Sequence, residues 1–306
     1  MANQKEIQAH YDGIGALHSL RLEDGMRDYT CALFNGNFEK TLDQAQRAKH
    51  DWILKGTKFK KGDQVLDIGC GWGQILETVT KEGGSAIGLT LSQHQVTYCK
   101  KKGFDVRLQD YKTADVKQLG KFDIIISIGA FEHFCSLEEF NDGKQEEIYK
   151  HFFKFCADLL PKGGRLYLQT MTWGDNTPDP NKFSPKASPL SKEATLYRLS
   201  KFYPGSWLPE GLNQLVKCSS DYFNFEGSNN GRLDYIETLK RWGLSSKNLL
   251  KIDKIFRTLF IASRILVKAA INYDTRVLLS SLKYNDQQRC FINKWMSHER
   301  MFFVKK

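Results

Sequence analysis

Gln64-Val65-Leu66-Asp67-Ile68-Gly69-Cys70-Gly71-Trp72-Gly73 runs directly into Gln74-Ile75-Leu76-Glu77-Thr78-Val79. A short apolar strand ends on an acid, turns through three alternating glycines and opens a helix. Glycines let the backbone approach a ligand closely, and the following helix N-terminus leaves unpaired N–H groups facing it. A dinucleotide-binding fingerprint needs another glycine three residues after its second; here Gln74 holds that place. Gly-x-Gly-x-Gly behind Asp67 instead suits S-adenosylmethionine (SAM), which carries an amino-acid end and no pyrophosphate. Asp67, Gly69, Gly71 and Gly73 are therefore candidate cofactor-binding residues.

Outward from this turn, strands and helices alternate. The first strand spans 64–67 and its helix 74–82; a second strand follows at 85–89. Ser92 caps a helix over 92–102 that stops at Gly103, and 104–109 is the third strand. Phe122-Asp123-Ile124-Ile125-Ile126-Ser127 is the nearly unbroken apolar run expected of a central parallel strand buried on both faces. A helix over 146–160 ends at Pro161 and Gly163-Gly164, before a fifth strand at 165–170. The alternation predicts an α/β fold, a doubly wound and mostly parallel Rossmann-like sheet.

Residues 1–60 show no strand pattern and are read as a helical N-terminal cap over the cofactor site, with Thr41 as a helix N-cap. Residues 61–306 form the core. All seven prolines fall between 161 and 209, six of them from 178 onward. An irregular, proline-stiffened insertion or lid is therefore expected at about 173–210, after strand five. Beyond it, 211–217 and 233–242 look helical, 222–225 and 301–304 look like strands, and about 230–295 reads as a helical insertion.

A chain of 306 residues that is 41% hydrophobic has ample material for a core. Its seven cysteines (31, 70, 99, 135, 156, 218, 290) are scattered, with no Cys-x-x-Cys pair. With no recognisable signal peptide, this predicts reduced thiols in a cytoplasmic enzyme, without disulfides or a metal site. The net charge of +10 favours an anionic partner. Nucleic acid is not expected, since no Asn-Pro-Pro-Tyr-like motif and no arginine-rich tail occur. Residues 252–271 form a helix candidate with Arg257, Arg264 and Lys268 on one face. Apolar residues fill most of the remainder, so the expectation is an ordinary helix packed on the domain with its cations in water. Peripheral contact with an anionic membrane is the alternative.

Five islands occur in order: Tyr29-Thr30-Cys31-Ala32-Leu33-Phe34, Thr41-Leu42-Asp43-Gln44-Ala45-Gln46-Arg47-Ala48-Lys49, the glycine turn, Gly88-Leu89-Thr90-Leu91-Ser92-Gln93-His94-Gln95, and Ser127-Ile128-Gly129-Ala130-Phe131-Glu132-His133-Phe134. Through them the chain resembles the cyclopropane-fatty-acid synthases, including the mycolic acid cyclopropane synthases, within the class I SAM-dependent methyltransferases. The resemblance covers roughly 10–172, weakens in the insertion and returns at Tyr235-Ile236-Glu237-Thr238-Leu239-Lys240-Arg241-Trp242. It accounts for the missing acid after strand two, because in the family the Thr-Leu-Ser segment and the later glutamine take that place. Thr90, Leu91 and Gln95 inherit this role. Tyr29 and Thr30 are implied at the methionine end, Tyr111 beside the adenine and Ile128 along the site.

The resemblance implies methyl transfer to the double bond of an unsaturated acyl lipid or a similarly apolar alkene, through a carbocation that bicarbonate then deprotonates. The implied bicarbonate holders are Cys31, Glu132, Tyr235 and backbone groups at Gly129 and Met171. Where the family carries a histidine, this chain has Gln169, which can donate a hydrogen bond but cannot titrate near neutrality. That departure keeps a second function open, a small-molecule N- or C-methyltransferase on the same fold. Acceptor, product and oligomeric state are left open by the sequence.

Overall fold

The computed structural model describes residues 25–203, 205–245 and 252–306. Seven strands form one sheet: β1 (Gln64–Ile68), β2 (Ser85–Thr90), β3 (Asp105–Leu108), β4 (Ile124–Ile128), β5 (Arg165–Trp173), β6 (Phe223–Asn230) and β7 (Met296–Lys305). Their order is β3-β2-β1-β4-β5-β7-β6. Strands β1 to β5 are parallel, β7 is antiparallel to β5, and β6 is antiparallel to β7. The chain leaves β1 for β2 on one side and later returns to place β4 on the other. In open α/β sheets ligands occupy the crevice at such a switch point.

Alternation along the strands divides the core. Val65, Ile124, Ile126 and Tyr167 pack with Ile53, Ile75 and Val79 on one face. Leu66, Ile68, Ile125, Leu166 and Leu168 meet Phe152, Phe153 and Leu159 on the other. The first face is covered by α1 (Leu42–Gly56) and α2 (Gln74–Lys81). After α3 (Gln93–Lys101) and the short α4 (Val116–Leu119) and α5 (Leu137–Asn141), helix α6 (Gln145–Leu159) covers the second face. Helix α1 begins with a full capping box, Thr41 and Gln44 each satisfying the other's backbone N–H. Of the segment expected to form the cap, residues 1–24 lie outside the described residues.

Among the described residues the remaining helices are α7 (Lys192–Phe202), α8 (Leu212–Ser219), α9 (Arg232–Ser245), α10 (Ile252–Ile271), α11 (Tyr273–Lys283) and α12 (Asp286–Ile292). The segment at 173–210 is not irregular throughout, because α7 occupies its second half. Ser191 caps this helix through the Ala194 N–H, and Ala194, Leu196, Leu199 and Phe202 are buried along it. The prolines that suggested irregular chain flank α7 and do not interrupt it. Strands β6 and β7 outrun the expected 222–225 and 301–304. Most of their added residues are polar, and β7 buries His298, Glu299 and Arg300.

Candidate active site

A cavity of about 950 Å³ opens at the switch point. At the glycine turn, the Gly69 and Cys70 N–H groups donate to the Leu89 carbonyl at 2.9 and 3.0 Å, tying the turn to β2. Gly71 has φ +53 and nothing within 4 Å of where a Cβ would stand, so its backbone faces open cavity. Gly73 has a different position. It lies outside the cavity lining, and a Cβ there would meet Cys99 Sγ at 3.1 Å and the Phe104 ring at 3.2 Å. With φ +77 at the N-cap of α2, it turns the chain into the helix and seats that helix on the core. The spacing that marked Gly73 as a ligand contact records a packing requirement.

Every other predicted site residue lines this one cavity. On the cofactor side, Thr90 Oγ donates to Gln95 Oε1 at 2.5 Å and accepts from the Ser92 N–H at 3.2 Å. Leu91 lies between them, and Ile128 comes from the end of β4. Tyr111 packs its ring on Phe134, 4.4 Å between centroids, with its hydroxyl buried and unpartnered. Asp67 is pushed up to about 8 by burial, with the negative Asp28 nearby adding to the effect. An open glycine backbone, an unpartnered phenol and a glutamine amide fixed by Thr90 suit a cofactor with a polar nucleoside and an amino-acid end.

Beside this half lies a polar network that the motifs did not single out. Asp28 Oδ2 accepts from Lys49 Nζ at 2.7 Å and pairs with His50 Nε2 at 2.9 Å. Its Oδ1 accepts from the Thr30 N–H and hydroxyl at 3.2 and 2.5 Å. Gln46 Nε2 donates to the Asp28 and Thr30 carbonyls. Burial alone would raise the Asp28 carboxyl, but Lys49 and His50 outweigh it and hold it well below the usual carboxylate range. A sequence signal existed. The buried stripe of α1 reads Ala45, Gln46, Lys49, His50, Ile53, a helical face with polar groups where apolar ones are usual.

The acceptor side centres on Glu132, 3% exposed in the short turn after β4. Its Oε1 accepts from the Met171 N–H at 2.8 Å, while Oε2 is buried without a partner. Burial pushes this carboxyl up to about 7 against the pull of the Met171 N–H. Gln169 accepts from the Tyr167 hydroxyl at 2.8 Å and donates to the Cys31 carbonyl at 3.2 Å. The Gly129 N–H donates to the Gln169 carbonyl at 3.0 Å, continuing the sheet ladder. Burial pushes the Cys31 thiol up to about 12; its sulfur receives Arg300 Nη2 at 3.2 Å. Arg300, fully buried and paired with Asp234 at 2.9 Å, is a further residue that sequence reasoning passed over.

Aromatic rings close this half. Tyr235 and Tyr29 each stand edge-on to Trp242, with centroids 6.3 Å apart. Helix α7 contributes Leu199 and Phe202 to the wall. Past Glu132 and Met171 a small apolar recess of about 50 Å³ continues among Trp173, Leu196, Trp207 and Met296. One cavity thus joins a polar cradle to an aromatic chamber, with a half-satisfied carboxylate in the chamber wall.

The family profile described as mycolic acid cyclopropane synthetase matches residues 1–260. Cyclopropane mycolic acid synthase 2 of Mycobacterium leprae is 36% identical over 253 residues, 77% of either chain. Hydroxymycolate synthase MmaA4 of Mycobacterium tuberculosis is 31% identical over 247 residues, 78% of this chain and 77% of that one. Among solved structures, mycolic acid cyclopropane synthase CmaA1 complexed with SAH and CTAB is similar at a TM-score of 0.76. That match covers 99% of this chain and 98% of the other at 25% identity.

Proposed function

The chain belongs to the mycolic acid cyclopropane synthetase family of SAM-dependent methyltransferases, and from that premise we propose that it methylates the double bond of an unsaturated acyl lipid or similarly apolar alkene. One observation carries this reading: an aromatic chamber that meets the cofactor cradle at the bare Glu132 Oε2. When bound, SAM supplies an electrophilic methyl group on a sulfonium. Asp67, Gly69, Gly71, Thr90, Leu91, Gln95, Tyr111 and Ile128 would hold it, with Tyr29 and Thr30 over the sulfonium end.

An alkene is a weak nucleophile, and its methylation leaves a carbocation on the acceptor. Tyr29, Tyr235 and Trp242 can turn ring electron density toward that charge and keep water out. Glu132 Oε2 then takes a proton from the new methyl group. An O–H bond forms, a C–H bond breaks, and the released pair closes the third side of a cyclopropane. Bicarbonate is not needed in this scheme. Of its implied holders, the Gly129 N–H is bonded to the Gln169 carbonyl and the Met171 N–H to Glu132; Gln169, in the place of the family histidine, is bonded to Tyr167 and Cys31. With those two N–H donors engaged, no step is routed through the ion.

Incubation with SAM and monounsaturated phospholipids, followed by mass spectrometry, tests the reading: a product heavier by one methylene is expected. Absence of product from several lipids, together with turnover of an amine, would transfer the site to the second reading, a small-molecule methyltransferase. Gln169 favours that alternative, because its pinned and non-titrating amide stands where the family carries an imidazole.

A further inference from the structure

Helix α10 reverses the packing expected of it. Leu259, Phe260, Leu266 and Val267 are 59%, 63%, 63% and 67% exposed, whereas Ala269 is buried. At 100° per residue these four side chains fall within an arc of roughly 120°. Arg264 and Lys268, both exposed, occupy the adjoining arc. The Arg264 guanidinium lies 5.7 Å from the centre of the Phe260 ring, its stem alongside apolar surface and its charge at the edge. Helix α10 packs against α11, which in turn packs on α7. The apolar stripe therefore points away from the domain, where water would have to solvate it.

We propose that this stripe is a docking surface for an anionic lipid bilayer, on which α10 lies flat with Arg264 and Lys268 among the headgroups. Charge selects the occupant. Between 252 and 283 the sequence carries Lys254, Arg257, Arg264, Lys268, Arg276 and Lys283 against Asp253 and Asp274. Two copies of so cationic a segment would repel, whereas each cation near an anionic membrane contributes roughly fivefold to partitioning. Among the described residues no helix is long and apolar enough to cross a membrane, so the contact is peripheral. Position supports it as well. Ser281 and Leu282, on the α11 partner of α10, line the cavity, so the helix that carries the stripe packs on an element of the cavity wall. Only the purpose of the surface rests on the proposed lipid substrate; its existence is tested without turnover.

The test is sedimentation with vesicles of saturated phosphatidylcholine, with and without phosphatidylglycerol, which the proposed reaction cannot consume. Wild type should partition at least tenfold more strongly onto the anionic vesicles. Phe260→Ser/Val267→Ser should lower that partitioning at least tenfold. Arg264→Gln/Lys268→Gln should lower it by roughly the same factor and flatten its salt dependence, since two cations at fivefold each are removed. All four positions are exposed, and unchanged melting and SAM titration would verify intact folding. The proposal is overturned if wild type ignores anionic vesicles at low salt, or if the Phe260/Val267 variant binds them equally well. It is also overturned if that variant instead abolishes a dimer seen by ultracentrifugation, which would make a second copy the occupant.

Discussion

Asp28 and Glu132 are both buried carboxylates facing the same cavity, and they are treated in opposite ways. Asp28 receives four hydrogen bonds, two of them from Lys49 and His50, and is held below the ordinary carboxylate range. Glu132 receives one from Met171, keeps a bare oxygen and is pushed up to about 7. Desolvation acts on both, so partners make the difference. In the cofactor half the network around Asp28 is satisfied internally, while the Tyr111 hydroxyl is left open to a ligand. In the acceptor half Glu132 keeps Oε2 bare on a carboxyl raised toward neutrality, which would suit it to exchange a proton.

Glu132→Gln attacks this contrast most directly. A positioned base contributes roughly 10²–10⁴-fold, so kcat should fall by that factor while SAM affinity in a calorimetric titration stays put. The wild-type rate should rise with pH up to about 7 and level off above it, because the ionised form is the active one. Stability should move the other way. Glu132 has a higher pKa folded than unfolded, so its favourable contribution is complete below the ordinary glutamate value and is lost as pH rises through about 7. A shift from 4.5 to about 7 corresponds to about 3 kcal/mol. The glutamine variant should therefore melt above wild type at pH 8 and near it at pH 4.5. Equal melting at both pH values would break the claim that the carboxylate is strained by burial.

Lys49→Met attacks the other half. Removing the cation leaves Asp28 in a site that no longer compensates it, at a cost of about 3–5 kcal/mol for a broken buried pair. Thermal melting should report that loss. Adding Asp28→Asn should restore part of it, since the remaining groups would then be neutral. Should Lys49→Met instead leave stability intact and abolish turnover with SAM bound, Lys49 would belong to the chemistry and the division of the cavity would fail.

Sequence reached these regions unequally. The glycine turn was legible because acid, strand, glycines and helix are contiguous, and positive φ is a local demand. Even there, spacing could not tell that Gly73 faces Cys99 and Phe104 while Gly71 faces open cavity, since that depends on what packs behind the turn. Glu132 was found by likeness to a family, but its bare oxygen depends on Met171, 39 residues away. Arg300 was invisible, as its partners Cys31 and Asp234 lie 269 and 66 positions distant. A strand carrying His298, Glu299 and Arg300 looks solvent-exposed until those partners are known. Helix α10 shows the converse, with its bounds plain from periodicity and its orientation set by where α11 lies.

Thr90→Val is the mildest probe and sharpens the contrast from the cofactor side. Thr90 stands where most SAM sites place an acid, and its hydroxyl does not need to touch the ligand to matter. It donates to Gln95 Oε1, which turns the glutamine so that its NH₂ is the end left for an acceptor on the cofactor, and it also receives the Ser92 N–H. Valine keeps the shape and removes both bonds. A net hydrogen bond is worth about 1 kcal/mol, so SAM should bind about fivefold more weakly with kcat nearly unchanged, beside a stability loss of about 1–3 kcal/mol from the buried Ser92 N–H left unpaired. That pattern, a shift in affinity without one in kcat, is what a purely binding half demands. A hundredfold fall in kcat with SAM saturating would mean that Gln95 steers the methyl group itself, and the boundary between the binding and reacting halves would have to be redrawn on the near side of β2.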